Sequence, residues 1–212
     1  MIAIHDPVAA GLIASPDKPG GLTTGTATSN EDLTPRLLEL LRAILPRARS
    51  IAVLHNPTDP SNAAYLRDFR ARANSLGISV QTIAFQSRDE LEAAFAGFET
   101  KLVDVLFVVA DSGTSDFSDR IAALALLHRL PTFSNMPEFT RLGGLMAYGA
   151  SREQLYLRAG YFVKKILDGT YPGELAVERP ARIELWINLR TARALDIALP
   201  AALLAGADEV VQ

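Results

Sequence analysis

The chain has 212 residues with 24 acidic and 21 basic side chains, a net charge of −3. Lys and Arg are scattered and no basic run is interleaved with aromatics, which argues against a nucleic-acid partner. With no cysteine, disulfides, thiolate metal sites and a Cys nucleophile are excluded; the three histidines (His5, His55, His128) are isolated, which argues against a His-rich metal centre, and no metal or cofactor is expected.

In chain order, Pro7 sits near the start of a short helix expected within His5–Ile13, and Pro16–Gly21 is turn chemistry. Leu22–Thr28 is Thr-rich and reads as a connection or an edge strand. Thr34 as N-cap with Pro35 at the first position opens a helix that Pro46 ends. Ser50–His55 is a strand, Ser61 opens a helix to Leu76 with Gly77 as its stop, and Ile78–Phe85 alternates as a strand does. Ser87 and Glu90 form a capping box before Leu91, Ala94, Phe95 and Phe98. A strand over 104–109, a helix over Asp116–Arg129, a short strand over 131–134, a helical turn over Met136–Arg141 and a strand over Leu145–Tyr148 follow. Ser151 and Gln154 cap a helix over Arg152–Asp168 with Leu155, Ala159, Phe162, Val163 and Ile166 on its apolar face. Pro172–Pro180 links to a strand over Arg182–Asn188, a helix over Thr191–Leu195 and a turn at Pro200–Leu204. The alternation of strands and helices calls for an α/β fold with a Rossmann-like parallel sheet and right-handed crossovers.

The stretch from Val103 to Gly149 organises the rest. Its buried strand ends in Ala110-Asp111-Ser112-Gly113-Thr114, and open α/β sheets hold ligands outside the carboxyl ends of their strands. Asn56, Ser134 and Asn135 end strands on the same expected edge. Taken singly, Asn56, Ser112 and Thr114 also read as loop caps, and Asp111 also as a helix N-cap. Together they form the polar rim a small zwitterion needs. Tyr148 reads either as an aromatic closing over a ligand or as core. Trp186 and His55 read as packing, and His128 as solvent-facing near a helix C-terminus. No G-x-S-x-G elbow, P-loop or G-x-G-x-x-G is present, so the reading is a binding protein and not an enzyme.

Several motifs, in order and spacing, carry a resemblance: DPVAAGLIAS at 6–15, KPGG-x-x-TG at 18–25, SIAVLHNP at 50–57, VDVLFVVAD at 103–111, RLPTFSN at 129–135 and GGLMAYG at 143–149, with KKILDGTYPGELAVERP at 164–180 and ELWINLRTARALDIALP at 184–200. The chain resembles the ABC-transporter substrate-binding family of the type I periplasmic binding-protein fold, in the branch that includes tryptophan-binding components. The resemblance implies two lobes closing over an amino-acid-like ligand, with closure read by a membrane permease. It implies that Asp111 holds the ligand's α-amino group through charge-assisted bonds, and that Thr24, in the first connection, lies at the ligand. An acid often stands where Asn135 is, and a Ser where Ala27 is. A periplasmic location is implied, although Met1–Asp6 has no basic n-region and no long h-region.

Family members carry most of a first lobe before DPVAAGL, whereas here Met1 lies four residues before His5. On this reading 1–30 and 150–179 are a remnant of lobe one, and 31–149 with 180–212 form a complete second lobe. The helix over 152–168 then lacks its sheet, and self-association as a homodimer through the remnant is expected. The competing readings are a shortened paralogue that folds and dimerises without transport, and a small-molecule sensor domain. Replacing Asp111 with Ala is expected to remove binding and spare the fold.

Overall fold

The structure, a computed structural model, describes residues 7–8, 10–28, 33–97 and 103–212. The start of the expected helix over His5–Ile13 and Phe98 lie outside them. Strands β1 (Ser50–His55), β2 (Ser79–Ala84), β3 (Val105–Val108), β4 (Thr132–Ser134), β5 (Met146–Gly149), β6 (Glu184–Asn188) and β7 (Glu209–Val211) form one sheet in the order β2-β1-β3-β4-β5-β6-β7. The first five pair in parallel. The chain starts at β1, steps to β2 on one side and returns to β3 on the other. The carboxyl ends of β1 and β3 therefore meet at the point where the strand order reverses, which is where ligands bind in such sheets.

Helices cover both faces. Alternate residues of the central strands divide between two cores, as a pleated strand requires. Ile51, Val53, Val105 and Phe107 pack with α1 (Thr34–Ile44), α2 (Asn62–Ser75) and Ala192 of α7 (Leu189–Ala194). Ala52, Leu54, Leu106 and Val108 pack with α3 (Arg88–Ala96), α5 (Ser118–Leu127) and a 3₁₀ segment over Pro137–Leu142. Strands buried on both faces explain the near-continuous apolar runs of the sequence.

Five local expectations change. Thr34 is the first helical residue and Leu33 takes the cap position, with Pro35 still in the first turn. The helix expected over 116–129 is two helices: α4 (Ser112–Asp116), capped by Asp111, then α5 after Phe117. β6 runs antiparallel to β5, because the chain leaves the carboxyl end of β5 through 150–183 and returns at the same end. The turn at 200–204 is α8 (Ala201–Ala205), and it leads into β7, a three-residue strand too short to show a period. His128 caps α5 and is half-buried, its ring 5.8 Å from that of Phe95, instead of facing solvent freely.

A second, smaller unit is built from 10–28 and 150–180. Leu22–Thr28 forms no strand but a single bridge, Thr26 opposite Glu178. Ala27 N donates to Glu178 O (2.9 Å), Glu178 N to Gly25 O (3.0 Å) and Val177 N to Pro16 O (2.7 Å). Ile13, Ala27 and Val177 are its small core. Helix α6 (Arg152–Leu167) buries only Leu155 and Phe162; Leu157 is 73% and Leu167 80% exposed, and Tyr156 and Val163 are also exposed.

Candidate ligand-binding cleft

The residue that joins β3 to α4 decides the local geometry. Asp111 is extended and caps α4: its Oδ1 accepts from Thr114 N (2.8 Å), and the Thr114 hydroxyl accepts from Asp111 N (3.2 Å). Its Oδ2 accepts from Asn56 N (2.8 Å) and Asn62 Nδ2 (2.9 Å). The carboxylate thus ties the end of β3 to the end of β1 and to α2. Three of the roughly four lone-pair positions of a carboxylate are taken, so Asp111, 7% exposed, is first a cap and a tether. It still borders the cleft. The same bonds contradict the expectation that removing this side chain spares the fold.

The other strand-end groups divide. Asn56 accepts from Thr58 N (3.0 Å) and Oγ1 (2.9 Å), a turn of its own, and its side chain packs on Gly113. A Cβ at Gly113 would come within 2.9 Å of Asn56 Cβ, so only glycine lets α4 approach β1 this closely. Thr114 is fully buried and donates to Val109 O. Ser134 is fully buried, donating to Val108 O (2.7 Å) and accepting from Met136 N (3.0 Å). Thr24 donates to Leu175 O (2.6 Å) inside the small unit, and Tyr148 packs against the core shared with α1. None of Asn56, Thr114, Ser134, Thr24 and Tyr148 lines the cleft; their polar or aromatic groups are engaged in holding its walls.

Ser112, Asp111 and Asn135 do line it. The cleft has a volume of about 530 Å³ and lies between the carboxyl ends of β1, β3 and β4 on one side and the small unit on the other. That size suits a small-molecule site. Asn135 is 4% exposed. Its Oδ1 accepts from Ala110 N (2.7 Å), which fixes the amide orientation and leaves Nδ2 as the free donor. Nδ2 is buried and has no partner. Gly149 permits this arrangement, since a Cβ there would lie 2.1 Å from Asn135 O.

The residues that the sequence reading missed lie on the opposite wall and on the loop after β4. Glu138 Oε1 accepts from Arg152 N (2.5 Å), while Oε2 is buried without a partner. Thr28 Oγ1 is also buried without one. The Arg152 guanidinium crosses the cleft, donating to Ser115 Oγ (2.7 Å) and approaching Met136 Sδ (3.3 Å). Leu12, Met136, Leu155 and Tyr156 add an apolar side. The available signal was positional: Glu138 follows a strand end and Pro137, and Arg152 opens a helix capped by Ser151.

The arrangement holds a few polar atoms and an apolar wall; among the described residues no three His, Cys, Asp or Glu side chains gather as a metal site. The sequence model of a family described as "ABC transporter substrate binding protein" matches residues 1–211. The chain belongs to this family. A relative from Clostridioides difficile (strain R20291), a tyrosine-binding protein, is 27% identical over 197 residues, 93% of this chain and 56% of that protein. The chain therefore spans just over half the length of this curated relative. A Streptococcus pneumoniae domain solved in complex with L-Trp superposes with a TM-score of 0.92 at 25% identity, covering 100% of this chain and 70% of that one. A conserved-domain protein from Vibrio cholerae gives 0.88 at 26% identity, over 99% of this chain and 70% of the other. The substrate-binding family member described here has the type I periplasmic binding-protein fold, as the resemblance implied. No helix among the described residues is long and apolar enough to cross a membrane.

Proposed function

We propose that this family member binds an aromatic amino acid, or a zwitterion like it, in the cleft between the sheet's carboxyl edge and the 10–28/150–180 unit. It acts without catalysis, outside the cytoplasmic membrane, as the solute-binding part of an ABC transport system whose permease reads its closure. The observation that carries this reading is the pairing of the unpartnered buried donor on Asn135 with the unpartnered buried acceptor on Glu138, in one cleft with an apolar wall. Buried polar atoms left without partners are costly, and a ligand with complementary groups removes the cost. Relatives whose names record tyrosine and L-Trp support the aromatic class.

A thermal-shift screen against the amino acids tests it. A ligand at a hundred times its dissociation constant stabilises the native state by about 2.7 kcal/mol, and a shift of roughly several degrees with tyrosine or tryptophan is expected. No shift with any amino acid rejects the reading.

Self-association belongs to the same proposal. Helix α6 exposes Leu157, Val163 and Leu167, an apolar face of the kind that finds a partner. A second copy of this chain is the occupant proposed, because it is always present at equal concentration and a two-fold contact is self-complementary. Mass in solution decides: a dimer is expected and a monomer at every concentration rejects it.

A further inference from the structure

We propose that Glu138 is the anion that takes the ligand's ammonium group, a role the resemblance gave to Asp111, and that Asn135 Nδ2 takes an oxygen of the ligand's carboxylate. The cleft then selects an intact α-amino acid over the same side chain carried on an acid or an amine. This rests on the amino-acid reading above.

The two carboxylates differ in what they have left to give. Asp111 spends three bonds inside the protein, on Thr114 N, Asn56 N and Asn62 Nδ2. Glu138 spends one, on Arg152 N, and its other oxygen is buried with no partner. The Arg152 guanidinium is turned away to Ser115 Oγ and Met136 Sδ, so it does not occupy that oxygen. Arg141 acts electrostatically with Glu138 but is held by Glu209, at 2.6 and 2.7 Å, over the Trp186 ring. A buried carboxylate oxygen without a partner is unfavourable until a cation reaches it, and a ligand ammonium is such a cation.

Glu138 is also held in place before any ligand arrives. Pro137 and Phe139 on either side of it are buried, Phe139 fully. Phe139 is pressed on Gly144, where a Cβ would come within 2.3 Å of its ring. The bond from Arg152 N fixes one oxygen and so aims the other. A group positioned in advance loses little freedom on binding. Asn135 lies three residues earlier on the same loop, with its amide direction set by Ala110 N. One short segment therefore offers an acceptor and a donor, the two poles that an α-amino acid presents in reverse.

The test is calorimetric titration of the full chain with L-tryptophan, 3-indolepropanoate and tryptamine, for the wild type and for Glu138→Gln. Glutamine retains an oxygen for Arg152 N and places an amide nitrogen where Oε2 was. The wild type is expected to prefer L-tryptophan over indolepropanoate by about tenfold or more, the scale of a charge-assisted bond. Glu138→Gln is expected to lose that tenfold for L-tryptophan and to leave indolepropanoate within about twofold, so that the preference collapses. Glu138→Asp, which keeps the charge one methylene further back, is expected to keep more of the preference than glutamine does. If the glutamine variant retains the wild-type preference, or loses both ligands equally, the assignment of Glu138 is overturned while amino-acid binding stands. If the wild type binds neither L-tryptophan nor any other amino acid, the functional reading falls and this one with it.

Discussion

The two walls of the cleft are built differently. The sheet wall belongs to a unit that covers both of its own faces: α1, α2 and α7 on one side, α3, α5 and the 3₁₀ segment on the other. The opposite wall belongs to a unit whose core is Ile13, Ala27 and Val177, and whose helix α6 leaves most of its apolar residues in solvent. Its ties are a few backbone bonds around Glu178, the Thr24 hydroxyl on Leu175 O, and the Arg158–Glu178 pair at 2.5 and 2.6 Å. Elements with few buried contacts are the ones that move. The contrast teaches that one wall supplies fixed, aimed polar atoms, and the other, a loosely tied unit, presents apolar surface from Leu12, Leu155 and Tyr156.

The largest effects are expected in the sheet unit. Phe107 is 1% exposed, with its ring 4.7 Å from Phe69 and 6.4 Å from Tyr65. Phe107→Ala is expected to destabilise by about 3–5 kcal/mol in denaturant unfolding; a loss near zero would mean this core is not packed as described. Next, Asp111→Ala strands two backbone N–H groups and one side-chain amide at once. A loss of about 2–4 kcal/mol is expected, visible by thermal unfolding without ligand. An unchanged midpoint would return Asp111 to a purely ligand-facing role.

In the small unit the same measurement should move little. Leu157→Glu with Val163→Glu, both on exposed positions of α6, is expected to change unfolding free energy by less than about 0.5 kcal/mol each. The pair of changes should nevertheless reduce the mass observed in sedimentation if this face carries the proposed self-association.

The smallest effects are electrostatic and touch both units. The N–H of Leu185 (2.8 Å) and the Arg182 guanidinium, against a smaller opposing effect of burial, hold the Asp208 carboxyl below its ordinary value. Arg158 does the same for Glu178, again against burial. A carboxyl lowered in the folded state contributes stability that is present above its unfolded value and is lost as acid carries the pH down through the folded one. Melting temperature is therefore expected to fall below about pH 4. Asp208→Asn should flatten that fall and Glu178→Gln should flatten it less, because both ion pairs are partly exposed and only Asp208 also accepts a backbone bond, from Leu185 N.

The sheet unit was legible because its signals are local. The runs SIAVLH and VLFV are buried on both faces and carry one period only, and Ser87, Ser151 and Gly77 mark helix ends where the structure has them. The direction of β6 was not legible, since antiparallel pairing follows from where 150–183 returns and not from RIELWIN itself. The cleft was legible by half. Of the residues picked out at strand ends, Asp111, Ser112 and Asn135 border the cleft, because topology brings such ends together. Hydroxyl-bearing residues at or just past strand ends, such as Thr114 and Ser134, look identical in sequence, yet their hydroxyls turn inward to Val109 O and Val108 O. Glu138 sits on the loop past the β4 end and Arg152 on the wall that faces the strand ends, and no spacing along the chain records what faces what.

The most direct measurement follows side-chain amides by ¹⁵N–¹H correlation spectra during a titration with L-tryptophan. The account predicts that the Asn135 amide pair shifts, with the backbone signals of Ala110, Glu138 and Arg152 moving at the same ligand concentration, while Val80 and Val210 on the outer strands stay still. Binding with the Asn135 amide unmoved, or no shift anywhere, would contradict it.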